Sequence, residues 1–151
     1  VKAAFLYHFV EFVDWPDSTI ASHQAGHVGI LGDDPFGPVI DEVFASPTAR
    51  GMSFSVRRSH RPEDLLDCQL VFVAVDDVDA VERALACFEG TPLLIIGHAD
   101  GFAHRGGHVN FFVENERLRF EVNLGAVQGS GLRLSSRLLK LARIVQPQAG
   151  R

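Results

Sequence analysis

Two adjacent carboxylates, Asp33 and Asp34, are the residues best suited by type and position to catalysis or metal binding. They follow an apolar run over residues 27–31, and carboxylates after a strand of an α/β sheet lie where such sheets bind ligands. A phosphate-accepting receiver domain would use them to hold Mg²⁺ and would need a lysine after its last core strand. Neither of the two lysines, Lys2 and Lys140, can lie there. A receiver is therefore excluded, and a ligand-sensing or enzymatic α/β domain that uses Asp33 and Asp34 remains as an alternative.

A second carboxylate pair, Asp76 and Asp77, follows the apolar run of residues 69–75 and has a simpler explanation. Each pair precedes a predicted helix, where an Asp side chain accepts hydrogen bonds from the first free N–H groups. The negative charge is also stabilised by the positive end of the helix dipole. Helix capping accounts for all four carboxylates without any ligand.

Histidine, serine and glycine patterns indicate no stronger catalytic or cofactor motif. His98, His104 and His108 are spaced by six and four residues, which does not match a compact zinc motif, so we predict no metal site. Ser130 lies between two glycines and lacks the G-x-S-x-G elbow of a hydrolase. The segment Gly32–Gly37 would place two carboxylates beside a pyrophosphate, which disfavours a dinucleotide. We predict no catalytic residue and no cofactor.

The two cysteines are predicted near the start of a strand, for Cys68, and near the end of the following helix, for Cys87. The strand rises about 23 Å from Cys68, and the helix returns about 14 Å before Cys87. The turn must close the remaining gap before the Cα atoms reach disulfide range. Two alternatives stay open, a Cys68–Cys87 disulfide or two free thiols.

A row of polar side chains alternates with apolar ones between residues 117 and 123. Alternation with a period of two places the two sets on opposite faces of a strand. The apolar set, expected to face the core, is Leu118, Phe120 and Val122. The polar set is Arg117, Arg119, Glu121 and Asn123. This polar face is either simply solvated or a surface that binds a protein or a small anion, and the pattern favours neither.

The elements that must position these residues predict an α/β domain. Apolar and alternating runs predict strands at His27–Leu31, Met52–Arg58, Gln69–Val75, Pro92–Gly97, His108–Val113 and Arg117–Asn123. Helices are predicted at 2–14, 35–44, Val78–Phe88 and Ser136–Val145, with a helical turn at Pro62–Asp67 and a glycine-rich turn over 125–131. Alternating strands and helices predict a parallel core. The fold class is therefore α/β, a single-domain mixed β-sheet over residues 1–151, sandwiched by helices and with a C-terminal antiparallel hairpin.

Composition agrees with this fold and excludes several classes of protein. The chain has 151 residues, 46% of them hydrophobic, and a net charge of -5, as expected of one globular domain. Its longest apolar stretch, residues 3–15, is too short and too interrupted to span a membrane, and its acidic balance disfavours nucleic acid. The charge is uneven, with -10 over residues 1–121 and +5 over 122–151. Because the chain begins at Val1 within a predicted helix, we expect that an upstream segment has been removed.

Four segments resemble those of the YfiR-like family. They are KAAFLYHFVEFVDWP from Lys2, ILGDDPFG from Ile30, CQLVFVA from Cys68 and, most specifically, GFAHRGGHVNFFVENERLRFEVNLGAVQGSGLRLSSRLLKLA from Gly101. The resemblance extends to about Val145 and implies an α/β sandwich that commonly forms a homodimer. It also implies a periplasmic regulator, without enzymatic activity, that binds the periplasmic region of an inner-membrane diguanylate cyclase and restrains it. An outer-membrane lipoprotein would sequester the regulator, and cyclic-di-GMP signalling and biofilm formation would be modulated.

The same resemblance implies where partners bind. The family's RFE motif is Arg119–Phe120–Glu121 in this sequence, and with Asn123 and the following glycine-rich turn it would lie on the partner-facing surface. Arg133, on the adjoining strand, would serve a small-molecule or lipoprotein contact. The expected partner-binding residues are therefore Arg119, Glu121, Asn123 and Arg133. Some relatives hold more cysteines, in strand-to-strand pairs, which puts redox switching in doubt here but not the fold.

Overall fold

A seven-stranded sheet with helices on both faces is the framework of the protein. The computed structural model describes residues 2–14, 25–45, 53–75 and 77–145. The strands are β1 (Val13–Asp14), β2 (Ala25–Gly32), β3 (Ser53–Ser59), β4 (Leu70–Ala74), β5 (Leu94–Gly97), β6 (Val109–Glu114), β7 (Arg117–Asn123), β8 (Arg133–Leu134) and β9 (Arg143–Val145). The helices are α1 (Lys2–Phe12), α2 (Pro38–Val43), α3 (Val78–Phe88), α4 (Leu124–Gly129) and α5 (Ser136–Lys140), and there are 3₁₀ turns η1 (Pro62–Leu65) and η2 (Ala103–Arg105).

The main sheet has the strand order β3-β2-β4-β5-β6-β7-β9, and β1 and β8 form a separate two-stranded sheet. Strands β3, β2, β4, β5 and β6 pair in parallel, whereas β6 and β7 form an antiparallel hairpin. The hairpin turns at Asn115 and Glu116, whose φ angles are 53° and 64°, as a type I′ turn requires. The predicted α/β class, with a parallel core and an antiparallel hairpin, is confirmed.

Each face of the sheet has its own apolar layer. On one face, α1 places the buried Phe9 ring 5.2 Å from the ring of Phe120 and 6.0 Å from that of Phe111. On the other face, α3 buries Val81 and Phe88 in a cluster with side chains of β4 and β5. Because both faces are covered, the central strands are continuously apolar, as the sequence of β4, LVFVA, illustrates.

The α3 side of the sheet becomes accessible to solvent towards the hairpin turn. Arg119 of β7 and Arg143 of β9 are exposed there, and Phe112 and Glu121 are half-buried. Arg117 is also exposed, so the polar row of β7 faces solvent over much of its length.

The last predicted helix, Ser136–Val145, is wrong in its second half. Helix α5 ends at Lys140, and Arg143–Val145 form β9, which pairs in parallel with β7. The helix ends in hydrogen bonds between residues three apart, from Leu141 N to Leu138 O and from Ala142 N to Leu139 O. Strand pairing then outcompetes the helix because β7 offers an unpaired edge, and the β-branched Ile144 and Val145 suit a strand.

The predicted glycine-rich turn is also wrong, since residues 124–129 form α4. The Asn123 side chain accepts a hydrogen bond from Ala126 N (3.1 Å) and caps this helix. Glycine is unfavourable inside helices, so local propensity alone predicted a turn where the cap and tertiary packing stabilise a short helix.

Two further helix predictions are wrong. The helix predicted for 2–14 ends at Phe12, since Val13–Asp14 form β1 and pair with β8. The helix predicted for 35–44 begins at Pro38 with Gly37 as its N-cap, so Asp33 and Asp34 do not cap it.

The other predicted strands and helices are shifted by at most one or two residues, and α3 and β7 have the predicted limits. Three features fall outside the described residues: the predicted helix end at Trp15–Pro16, Met52 of the second predicted strand, and Asp76. Within the four described ranges, no helix combines the length and the apolar character that a bilayer span needs.

Candidate functional site

A shared carboxylate joins two arginines on the accessible part of the sheet. Arg119 Nη1 donates to Glu114 Oε1 (2.8 Å), and Arg143 Nη2 donates to Glu114 Oε2 (2.8 Å). The Arg143 guanidinium carbon also lies 4.6 Å from the centroid of the Phe112 ring, close enough for the ring face to attract the cation. We call Phe112, Glu114, Arg119, Glu121 and Arg143 the open face. The ion pairs and the ring contact hold its side chains in one arrangement before any partner binds.

A buried amide lies beneath the open face. Asn110 of β6 is only 4% exposed, and its Nδ2 donates to Glu121 Oε1 (3.2 Å). Its Oδ1 is buried and has no hydrogen-bond partner among the described residues. The Asn110 amide therefore orients the Glu121 carboxylate from beneath the open face.

A groove of about 670 Å³ borders the open face at the hairpin end. Its lining residues are Glu114, Asn115, Arg117, Arg119, Lys140 and Leu141. Arg117 and Lys140 form no ion pair with any described residue, and Leu141 is 65% exposed. Unpaired cations around an exposed apolar side chain suit an acidic partner that also carries apolar groups.

The structure separates the four residues expected to bind partners. Arg119 and Glu121 both lie on the open face. Asn123 is only 2% exposed, and its Nδ2 donates to Ala103 O (2.8 Å), so its side chain serves the fold. Arg133 lies in β8, which pairs with β1, so the expectation that it adjoins the polar row is wrong.

Three residues of this region were not predicted from the sequence. They are Phe112 and Glu114 of the open face and Asn110, which lies beneath it. They alternate along β6, and the hairpin register pairs Asn110 with Glu121 and Phe112 with Arg119. The hairpin pattern in the sequence indicates these residues, because residues paired across two antiparallel strands lie on the same face of the sheet. Applying the register to both strands would have found them.

The Asp33–Asp34 corner has a structural explanation. Asp34 Oδ2 accepts a hydrogen bond from Arg58 Nε (2.6 Å), its Oδ1 accepts one from Phe36 N (2.8 Å), and Arg58 also donates to Asp41 (2.8 Å). Burial raises the pKa of Asp34, but the Arg58 hydrogen bond and charge outweigh it and bring the pKa below its ordinary value. Asp33 is fully exposed. The Asp34 carboxylate therefore stabilises the β2–α2 turn, and its position is explained without a ligand.

Replacing Arg58 with methionine should destabilise the protein by about 1 kcal/mol, because a partly exposed ion-pair network contributes on that scale. Urea unfolding at neutral pH measures the change. Arg61→Met is the matched control, since Arg61 is exposed and forms no ion pair among the described residues, and it should change stability by less than about 0.5 kcal/mol. Equal losses in the two variants would contradict the role of Arg58.

A histidine and a serine lie together on the α3 side but are not arranged for nucleophilic catalysis. His108 Nδ1 accepts a hydrogen bond from Ile95 N (2.9 Å), and its Nε2 lies 3.0 Å from Ser130 Oγ. The neutral ring therefore carries its proton on Nε2 and donates it to Ser130, which in turn donates to Ala126 O (3.2 Å). A general base needs the opposite arrangement. Burial lowers the pKa of His108 to about 4, so the pair braces the fold.

Residues 1–143 match the family described as YfiR/HmsC-like. The chain belongs to the YfiR/HmsC-like family. This confirms the resemblance seen in the sequence and makes the protein a member of a family of periplasmic regulators rather than enzymes. No significant match was found among curated proteins.

Solved structures share the fold of this YfiR/HmsC-like protein at low sequence identity. A conserved domain protein from Vibrio cholerae is 9% identical with a TM-score of 0.62, and the match covers 97% of this chain and 59% of that one. The ABC domain from Streptococcus pneumoniae in complex with L-Trp is 11% identical with a TM-score of 0.58, covering 92% of this chain and 61% of that one. The chain thus spans about three fifths of each. These similarities establish the fold alone.

The three closely spaced histidines of this YfiR/HmsC-like protein do not converge. His98 packs against the Phe72 ring (5.0 Å between centroids), His104 is exposed in η2, and His108 is buried beneath α4. In the described part of the chain, no three His, Cys, Asp or Glu side chains are grouped as metal ligands.

Both cysteines are free thiols in the structure. Cys68 is buried in the apolar layer beneath α3, and burial raises its thiol pKa to about 11. Burial also raises the pKa of Cys87, which is half-buried. Of the two alternatives that the sequence left open, the structure has the free thiols, and both are poor nucleophiles because the thiolate is disfavoured.

Proposed function

We propose that this protein is a periplasmic negative regulator that binds an inner-membrane diguanylate cyclase and restrains it. The binding target is the periplasmic region of the cyclase, and the consequence is lower cyclic-di-GMP production and altered biofilm formation. Membership of a periplasmic regulatory family supports this proposal. The protein would act by association and not by catalysis, which agrees with the bracing role of His108, Ser130 and Asp34.

The observation that carries the proposal is the open face. An aromatic ring and two arginines are held by shared contacts on a partly solvent-exposed surface of the sheet. Arginine and aromatic side chains are enriched at the centres of protein interfaces. Because these side chains are already ordered, binding loses less conformational entropy there than on a mobile surface.

Restraint would follow from a difference in affinity between two states of the cyclase. A regulator shifts an equilibrium only as far as it binds one state more tightly than the other. The open face would therefore fit the inactive arrangement of the periplasmic region and lose contacts in the active one.

Two further associations belong to the proposal. An outer-membrane lipoprotein would sequester the regulator, and Arg133 of β8 is the residue proposed for this contact or for a small molecule. The regulator would also form a homodimer. Since β8 belongs to the small sheet with β1, the lipoprotein contact would use a second surface and would not have to compete for Glu121.

Capture from solubilised envelope tests the proposed function. Immobilised protein should retain a membrane protein with diguanylate cyclase activity, and adding the free regulator to that enzyme should lower its cyclic-di-GMP production. A matched column of Glu121→Lys protein is the control and should retain much less of the enzyme. Capture without cyclase activity, or equal capture on both columns, would contradict the proposal.

Binding to the cyclase should also weaken as salt is added. Arg117, Arg137 and Lys140 form no ion pair with any described residue, so their charges are available to an acidic partner. Raising salt from about 50 mM to about 500 mM shortens the Debye length and should lower the affinity by about tenfold. Titration calorimetry at several salt concentrations measures the affinity. An affinity that does not change with salt would contradict binding through these basic side chains.

A further inference from the structure

A second groove, of about 620 Å³, lies on the α3 side of the sheet and has no part in the proposed function. Its floor is formed by Phe88 and Ile95, which are buried, and by Leu85, which is half-buried. His108 and Ser130 add one hydrogen-bonded polar pair to the lining. An apolar floor with few ordered polar groups and a volume of several hundred Å³ is typical of small-molecule sites.

Three glycines keep the wall of this groove free of side chains. A Cβ placed on Gly90, Gly106 or Gly129 would meet nothing within 4 Å. Gly90 and Gly106 have φ angles of 79° and 115°, which explain glycine there. Gly129 has no such angle and ends α4, where alanine would favour the helix. Neither backbone conformation nor packing requires a glycine at 129, and its missing side chain leaves the backbone bare in the groove wall.

The charges around the groove leave it negative. Glu82 lies 4.0 Å from Arg105 on the rim, so these two charges largely cancel. Glu89 also lines the groove and forms no ion pair with any described residue. It lies at the carboxyl end of α3, the negative end of that helix dipole. His108 stays neutral because burial lowers its pKa to about 4, so no cation offsets Glu89.

We propose that this groove binds an organic cation with an apolar body, such as an arylalkyl ammonium ion. The apolar body would lie on Leu85, Phe88 and Ile95, against the bare backbone of Gly129. The ammonium group would lie beside the Glu89 carboxylate. This site is separate from the open face, and its test does not depend on any partner protein.

Three probes of similar size and different charge test the proposal by titration calorimetry. Phenethylammonium should bind about fivefold more tightly than phenethyl alcohol, as expected of one partly exposed ion pair, and phenylpropionate should bind least. Glu89→Gln should remove the preference for the cation over the alcohol. Gly129→Leu should fill the groove and weaken cation binding by roughly tenfold or more. Gln128→Leu is the matched control, because Gln128 is exposed on the same helix and outside the groove lining.

The outcomes separate cleanly. Tighter binding of the cation that is lost in Gly129→Leu but kept in Gln128→Leu supports the proposal, provided that circular dichroism shows both variants folded. If Gly129→Leu does not fold, Gly129→Val is used in its place. Absence of binding by all three probes, equal binding of cation and carboxylate, or unchanged binding in the groove-filling variant would overturn it.

Discussion

Replacing Glu121 with lysine should weaken binding to the periplasmic region of the cyclase by about a hundredfold or more. Glu121 lies next to Arg143 in the β7–β9 register and accepts a hydrogen bond from Asn110. A lysine there would remove the carboxylate that accepts from Asn110 Nδ2 and would add a third cation to the open face, which would disturb the arrangement of side chains that the partner binds. Glu114 already binds Arg119 and Arg143, so the new charge would have no carboxylate of its own.

Titration calorimetry with the isolated periplasmic region measures the affinity, and cyclic-di-GMP production by the full cyclase measures restraint. Glu121→Gln separates charge from hydrogen bonding, because its amide oxygen still accepts from Asn110. This variant should lose about tenfold in affinity. Circular dichroism and thermal unfolding show whether each variant remains folded.

Glu116→Lys is the matched control, since it makes the same charge change at an exposed position in the hairpin turn. It should leave affinity nearly unchanged. Asp33→Asn tests the alternative carboxylate site, and it is preferable to any change at Asp34 because Asp34 holds Arg58. Unchanged binding by Glu121→Lys, or loss of restraint in folded Asp33→Asn, would contradict the open face as the binding surface.

Acidification should destabilise the protein through His108. Its pKa is about 4 in the folded protein and about 6.5 when unfolded, so the unfolded state takes up the proton first as pH falls. The stability from the neutral ring is fully present above pH 6.5 and is lost between about pH 6.5 and 4. The loss should be about 2 kcal/mol by pH 5 and about 3 kcal/mol by pH 4.

Urea unfolding of the wild type and of His108→Asn at pH 7, 6 and 5 measures this term. Asparagine does not titrate, and its side-chain oxygen can accept from Ile95 N in place of Nδ1. The variant should be less stable at pH 7, because it loses the Ser130 contact, but the difference should shrink by about 2 kcal/mol at pH 5. The pKa of Asp34 is lowered, so its contribution is lost only below about pH 4, outside this window.

His104→Asn is the control for removing a histidine, because His104 is exposed. Its unfolding should follow the wild-type dependence on pH. Parallel pH dependences for the wild type and His108→Asn would show that His108 does not carry the acid-sensitive term.

Local signals in the sequence were sufficient for the elements that local interactions stabilise. Helix α3 has the predicted limits because Asp77 caps its start through Ala80 N (3.0 Å) and Gly90 follows its end. Strand β7 has the predicted limits because its residues alternate strictly. By contrast, α4, β1, β8 and β9 were missed, since pairing with strands distant in sequence and the surrounding packing decide their conformation.

The sequence by itself determined the family, the α/β class and the two faces of β7, because period-two alternation assigns each side chain to one face. Only the tertiary structure decided which polar residues of that face are accessible. Asn123 is buried by contacts with η2 and α4, whereas Arg119 remains exposed and shares Glu114 with Arg143, which lies 29 residues after Glu114 in the chain. Such coverage depends on segments distant in sequence, so alternation within one strand carries no information about it.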